Sequence, residues 1–343
     1  MRGPTGEIRV IQIHPTLRCN LRCGHCYSSS SPENNAKLSS ATCAEVIEDA
    51  ATLGYNVVGI SGGEPLLYRS LPDVLKQARL LGLLTTITTN GQLLTHDVLE
   101  RLADVVSLIA ISIDGVPDSH NRLRCSSTAF SRMSSRLTGV RRSKIPFGFI
   151  FTLTQHNLHE LEWVAKFALS QGASLLQVHP LEEVGRAASE LPGSVPDQSE
   201  LTWAFAEVAR IRDMCASDMT IQFDVLRRGL LSSRPEVGFA ESATVPSSSE
   251  PLANLLSPVV IEADGTVAPL KYGFPRRFSL GNVTESRLTE LAQTWISGGG
   301  YEKFNTVCRK TQVALLAPRD APRLLNWYQE VHSRADDDNV EIC

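Results

Sequence analysis

Cys19, Cys23 and Cys26 stand in the spacing C-x-x-x-C-x-x-C, inside the segment His14-Pro15-Thr16-Leu17-Arg18-Cys19-Asn20-Leu21-Arg22-Cys23-Gly24-His25-Cys26-Tyr27. A closed four-iron cluster takes four cysteine thiolates, so this triplet is one short. A cluster held by three thiolates keeps one iron open to a small ligand and can take part in chemistry as well as carry electrons. Zinc also suits closely spaced thiolates, with His25 or His14 as a fourth ligand. A disulfide suits them poorly. No signal-peptide pattern opens the chain, and the other cysteines (Cys43, Cys125, Cys215, Cys308 and Cys343) are scattered. That usage fits a reducing, cytoplasmic setting.

A second motif is Ser61-Gly62-Gly63-Glu64-Pro65, directly after the apolar run Val57-Val58-Gly59-Ile60. The run reads as a buried strand. Paired glycines allow close approach of a ligand to the backbone or a positive φ. Glu64, at the strand's C-terminal end, can accept hydrogen bonds from an ammonium group. A Gly-Gly turn alone says little; paired with the cysteine triplet it points to one site.

The elements that must position these residues alternate regularly. Strands are expected at Ile8–Ile13, Val57–Ile60, Leu84–Thr88, Val106–Ile113, Phe147–Leu153 and Leu175–Val178. Helical patterns lie near Ser39–Leu53, Leu71–Leu81, His96–Leu102, Ala129–Arg142 and Leu158–Gln171. Ser39 or Ser40 can cap the first helix, and Gly54 can end it. Repeated βα order implies a parallel sheet with right-handed crossovers. The fold class is therefore α/β, and six units suit a partial TIM-like barrel. Loops at the C-terminal strand ends then carry the site, and both motifs fall there. Two further strand ends bear polar groups, Thr89-Asn90-Gly91 and Ser112-Ile113-Asp114-Gly115. Asn-Gly and Asp-Gly pairs are also ordinary turn formers.

Together the triplet, His25 before its last cysteine, and Gly62-Gly63-Glu64-Pro65 resemble the radical S-adenosylmethionine (SAM) superfamily. The resemblance implies one [4Fe-4S] cluster on Cys19, Cys23 and Cys26, with SAM on the open iron. One-electron cleavage of SAM would give a 5′-deoxyadenosyl radical that removes a substrate hydrogen. It also implies cofactor-binding roles for His25, Gly62, Gly63 and Glu64. The run from Ile111 to Arg124 is similar to the SAM-contacting segment of peptide-modifying members. By that likeness Ser112 and Arg124 would contact the SAM carboxylate and ribose, and Asn90 would lie near the ribose. A flavodoxin- or ferredoxin-type donor would supply the electron.

The C-terminal third, Pro258 to Leu270, has the form of a β-hairpin turning at Asp264-Gly265 and is followed by a helix over Leu288–Trp295. This resembles the SPASM or twitch extension of many radical SAM maturases. Leu270 occupies the position where that family has a cluster-binding cysteine, so the extension is expected without auxiliary clusters. The chain then divides into a core over 1–225, a Ser- and Pro-rich linker or lid over 226–257, and the degenerate extension over 258–343. Without a second cluster a redox-neutral outcome is expected. For epimerisation, Cys125 or Cys308 is the candidate hydrogen-atom donor; most free cysteines are simply small buried residues.

The resemblance favours peptide natural-product maturation, with a small sugar or nucleoside metabolite as the alternative substrate. Only about seven residues precede the first strand, so a peptide substrate would need a separate leader-recognition protein or direct binding at the barrel mouth. The net charge of −4 and the short basic cluster Arg136, Arg141, Arg142 and Lys144 give no footprint for nucleic acid. No apolar stretch is long enough to span a membrane.

Overall fold

The computed structural model describes residues 2–3, 6–215, 218–240, 250–317 and 322–337. The six expected strands form, as β1 Val10–Ile13, β2 Val57–Ile60, β3 Leu84–Thr89, β4 Leu108–Ile113, β5 Phe147–Leu153 and β6 Leu175–Pro180. They pair in chain order and all in parallel. Each is short, with one face fully buried. The other face of the sheet is only partly buried and carries the polar residues Gln12, Thr88, Ser112, Thr152, Gln177 and His179, which line the cavity described below.

Helices connect them: α1 Ser40–Thr52, α2 Leu71–Leu80, α3 His96–Leu102, α4 Pro117–Leu123, α5 Ala129–Ser134, α6 Leu137–Ser143 and α7 Leu161–Ser170. Ser39 caps α1, its Oγ accepting from the Thr42 amide at 2.9 Å. The helix expected over Ala129–Arg142 is two helices. The hydroxyls of Ser131, Ser134 and Ser135 each donate to a carbonyl three residues back, the local competition that weakens serine-rich helices. Helix α4 was not expected at all; it sits within the Ile111–Arg124 run.

The parallel sheet extends past six strands. Helix α8 Gln198–Cys215 leads into β7 Thr220–Phe223, which pairs in parallel with β6. At the other edge, β8 Val259–Ile261 pairs in parallel with β1, and β9 Thr266–Pro269 folds back on it. A two-residue strand, β10 Gly281–Asn282, pairs antiparallel with β9 and ends the sheet. The expected hairpin is thus present, but it continues the barrel sheet beside β1. One contiguous core runs through both parts, from Ile11 and Phe149 to Val260 and Phe304.

Within 226–257 the described residues include helix α9 Arg228–Ser233 and a 3-10 turn at Pro235–Gly238. Leu231 and Leu252 there are fully buried. Residues 241–249, where the lid reading centres, lie outside the described residues, as does Cys343. Helices α10 Leu288–Ser297, α11 Gly300–Leu316 and α12 Trp327–Asp336 complete the C-terminal part. Among the described residues no helix is long and apolar enough to cross a membrane.

Candidate active site

The loop after β1 carries the three cysteines and is held by backbone bonds from its neighbours. The Gly63 amide donates to Thr16 O at 2.8 Å, and the Glu64 amide donates to Arg18 O at 2.9 Å. A Cβ on Gly62 would stand 2.5 Å from Thr16 O, and one on Gly63 would stand 2.3 Å from Arg18 O. Here the two glycines are small because the cysteine loop lies on them. Gly62 also takes a φ of +113°, which side chains disfavour.

A second clamp comes from a residue the sequence reading left without a role. Arg186 is buried and donates from Nη1 to Cys23 O at 2.6 Å and from Nη2 to Ser30 O at 2.7 Å. Its own amide donates to Cys26 O at 2.9 Å. The preceding Gly185 leaves no room for a Cβ, which would meet Tyr27 O at 2.1 Å. A Gly-Arg pair at a strand exit was the available signal, and it is a weak one.

The three thiols are free; Cys19 and Cys23 are buried, and Cys26 packs against them. Burial pushes Cys19 up to about 12 and Cys23 up to about 11, although Arg124 beside Cys23 pulls in the other direction. Arg124 Nη1 lies 3.8 Å from Cys23 Sγ. Among the described residues no three His, Cys, Asp or Glu side chains are placed to share a single metal ion. A four-iron cluster takes each thiolate on its own iron. Three thiolates lining one cavity are a donor set that suits a four-iron cluster with one open iron.

Glu64 is placed differently from expectation. It is fully buried, and its carboxylate serves the protein. Oε1 accepts from Thr89 Oγ1 at 2.8 Å and the Leu66 amide at 3.1 Å, while Oε2 accepts from the Asn90 amide at 2.9 Å. It ties the exit of β2 to the exit of β3, and Asn90 is what that tie positions. Asn90 Nδ2 donates to Asn20 Oδ1 at 2.8 Å, so β3 also steadies the cysteine loop.

Behind Arg124 lies Asp114, fully buried, whose Oδ2 accepts from Arg124 Nε at 2.6 Å. His25 Nε2 is 3.9 Å from Asp114 Oδ1 and His120 Nδ1 is 3.7 Å from Oδ2. The Asp114 amide donates to His120 Nδ1 at 3.1 Å, which leaves that nitrogen as an acceptor. Burial keeps His25 and His120 below their usual range, His120 at about 4. His25 is thus part of the support beneath Arg124.

Cys19, Cys23, His25, Cys26, Gly62, Gly63, Asn90, Ser112 and Arg124 line one cavity of about 680 Å³. Gln177, His179, Glu182, Asp224, Lys271 and Tyr328 line it too. Lys271, after β9, is ion-paired with Glu182, after β6, and donates to Gln329 Oε1 of α12 at 2.8 Å. Asn326 Nδ2 donates to Glu182 Oε1 at 2.9 Å. This polar group ties the two sides of the open barrel across its gap. His179 Nδ1 lies 3.1 Å from Asp224 Oδ2. Burial opposes its charging, but the Asp224 carboxylate outweighs that and raises its pKa.

Cys125 and Cys308 are placed elsewhere. Cys125 is exposed at the end of α4, and Cys308 is fully buried within α11; neither lines the cavity. Leu270, buried with a φ of +62°, does line it.

The model of the Radical SAM superfamily matches residues 13–168. Residues 13–168 thus carry the domain of a Radical SAM enzyme. It is similar to Fe-coproporphyrin III synthase of Methanosarcina barkeri, 26% identical over 293 residues, covering 82% of this chain and 73% of the relative. The AdoMet-dependent heme synthase of the same organism is 31% identical over 216 residues, 61% of this chain and 61% of the relative. The chain thus spans less than two thirds of that second relative. Among solved structures, Streptococcus suis SuiB bound to SAM superposes with a TM-score of 0.67 at 18% identity, covering 88% of this chain and 68% of SuiB. SuiB has also been solved with the precursor peptide SuiA. At that identity the likeness bears on fold alone.

Proposed function

We propose that Cys19, Cys23 and Cys26 hold a single [4Fe-4S] cluster, that SAM binds beside it, and that the chain removes a hydrogen atom from a substrate in the same cavity. The observation that carries this reading is the sharing of one cavity by the three thiols, Asn90, Ser112, Arg124 and the polar wall from His179 to Lys271. When bound, the cluster and SAM supply one-electron cleavage of a sulfur–carbon bond and a carbon radical able to abstract hydrogen.

The chain's own residues bind and orient. Arg124, fixed by Asp114, offers positive charge beside Cys23 and free guanidinium hydrogens toward a carboxylate. Asn90 and Ser112 offer neutral hydrogen-bonding groups at the exits of β3 and β4. The Lys271–Glu182 pair, held by Gln329 and Asn326, joins the loop after β6 to the start of α12 at the cavity wall.

For the substrate, the reading is a peptide in natural-product maturation with a redox-neutral outcome such as epimerisation. The fold shared with SuiB supports it. A small sugar or nucleoside is the second reading. It is favoured by cavity size, since about 680 Å³ must hold SAM as well and lies within the range of a single-ligand pocket. With Cys125 and Cys308 away from the cavity, an epimerisation would draw its returning hydrogen from another group.

Anaerobic reconstitution followed by SAM and a low-potential reductant is expected to yield 5′-deoxyadenosine and methionine. A protein with its full complement of iron that forms neither would refute the reading.

A further inference from the structure

His14 follows β1 and is fully buried, its amide donating to Ile261 O at 2.8 Å. Neither ring nitrogen has a hydrogen-bond partner, and the residue lines the cavity. Buried polar groups are nearly always paired, so two orphaned nitrogens on one ring need a reason. Burial alone lowers the His14 pKa to about 3 and so keeps the imidazole neutral. A neutral imidazole carries one donor and one acceptor.

The surroundings of this ring are aromatic. Tyr272 stacks on it with centroids 4.8 Å apart and planes 23° from parallel. Tyr27 stands edge-on to both, 5.8 Å from each. Both tyrosines line the cavity as well. The charged groups of the cavity are already committed, the free guanidinium hydrogens of Arg124 to the SAM carboxylate in the reading above. Its lysine and arginine side chains, Lys271 and Arg124, are paired with Glu182 and Asp114. Asp224 is held by His179, Gln177 and Gln222. Among the described residues no lining lysine or arginine is left over for a substrate carboxylate.

We propose that His14, Tyr27 and Tyr272 form the substrate subsite, built for an uncharged group that both donates and accepts hydrogen bonds, a hydroxyl or an amide, resting against aromatic rings. That the occupant is the substrate rests on the function proposed above; the chemistry of the subsite rests on the unpartnered ring. The subsite is unsuited to a ligand whose main handles are carboxylates. Tyr272 lies beyond residues 13–168, in a part of the chain that the superfamily match does not cover.

The test is calorimetric titration of the reconstituted, SAM-loaded protein with three probes: N-acetylglucosamine, the capped peptide acetyl-Gly-Ala-Gly-amide, and coproporphyrin III as a tetracarboxylate. At least one neutral probe is expected to bind. His14→Phe, which keeps the stack and removes both polar atoms, is expected to weaken that binding by about tenfold, the loss of one to two hydrogen bonds. His14→Gln, which retains a donor and an acceptor, is expected to recover part of it. If His14→Phe does not fold, the comparison of wild type with His14→Gln and His14→Leu serves instead. Binding of the sugar alone assigns a hydroxyl, and binding of the peptide alone assigns an amide. Binding of coproporphyrin III alone, no neutral probe binding, or neutral binding indifferent to His14 would each overturn the proposal. Wild-type 5′-deoxyadenosine formation is read separately. Its absence, with His14-dependent titration intact, would remove the proposed function and leave the subsite.

Discussion

Replacing Arg124 with leucine is expected to cost the fold about 3–5 kcal/mol, the penalty for removing one partner of a buried ion pair. That is a large part of a typical domain's stability. Asp114 would be left fully buried beside two histidines that burial keeps from charging. The double variant Asp114→Asn with Arg124→Leu is expected to recover much of the loss, because no unpaired charge then remains. The pH dependence follows from the same pair. Burial pushes the Asp114 carboxyl up, but the Arg124 guanidinium beside it opposes this and is the chief reason that it lies below the usual carboxylate range. A depressed folded-state pKa gives stability that is present above the unfolded value of about 3.9 and is lost as pH falls through the folded one. Urea unfolding between pH 2 and 7 should show this acid limb in the wild type and not in Arg124→Leu. A single variant within about 1 kcal/mol of wild type, on the scale of an exposed pair, would contradict the buried-pair account.

Cys23→Ala should abolish the chemistry and spare the fold. Wild-type protein reconstituted without oxygen is expected to carry about four irons per chain, and the variant close to none. Cys23 belongs to a small packed group of Cys19, Leu21 and Cys23, apart from the main core. The Arg186 bonds to the loop go to carbonyl oxygens that alanine retains. Unfolding should therefore stay cooperative while 5′-deoxyadenosine falls to background. Cys125→Ala and Cys308→Ala should keep their iron, since neither residue lines the cavity. About eight irons in the wild type would instead reveal an auxiliary cluster and overturn the single-cluster reading.

What could be read from the sequence was what is local. The cysteine spacing, the strand runs and the Asp264-Gly265 turn each lie within a few residues, and all stand where expected. The contacts that assemble the site join distant segments, and no local pattern carries them. Arg186 grips a loop more than 150 positions earlier, with |i−j| of 163 and 156 for its two bonds. Lys271 and Glu182 meet only because β9 and β6 flank the same opening. Two residues were placed in the right neighbourhood with a different task. Glu64 bonds the protein's own amides in place of a ligand's, and Asp114, taken as a turn former, anchors Arg124. Strand β7 was missed because two of the four residues Thr220-Ile221-Gln222-Phe223 are polar and leave no apolar run to mark it. The partnership of β8 with β1 was missed because a hairpin's internal pairing says nothing about which outside strand it will meet.

The central claim is that three thiolates hold a cluster whose remaining iron binds SAM. The most direct test is electron–nuclear double resonance on the reduced cluster with SAM labelled by 15N at its amine and 17O at its carboxylate. Hyperfine coupling to both labels is predicted in the wild type. No coupling to either label, in protein carrying about four irons and saturated with SAM, would contradict it.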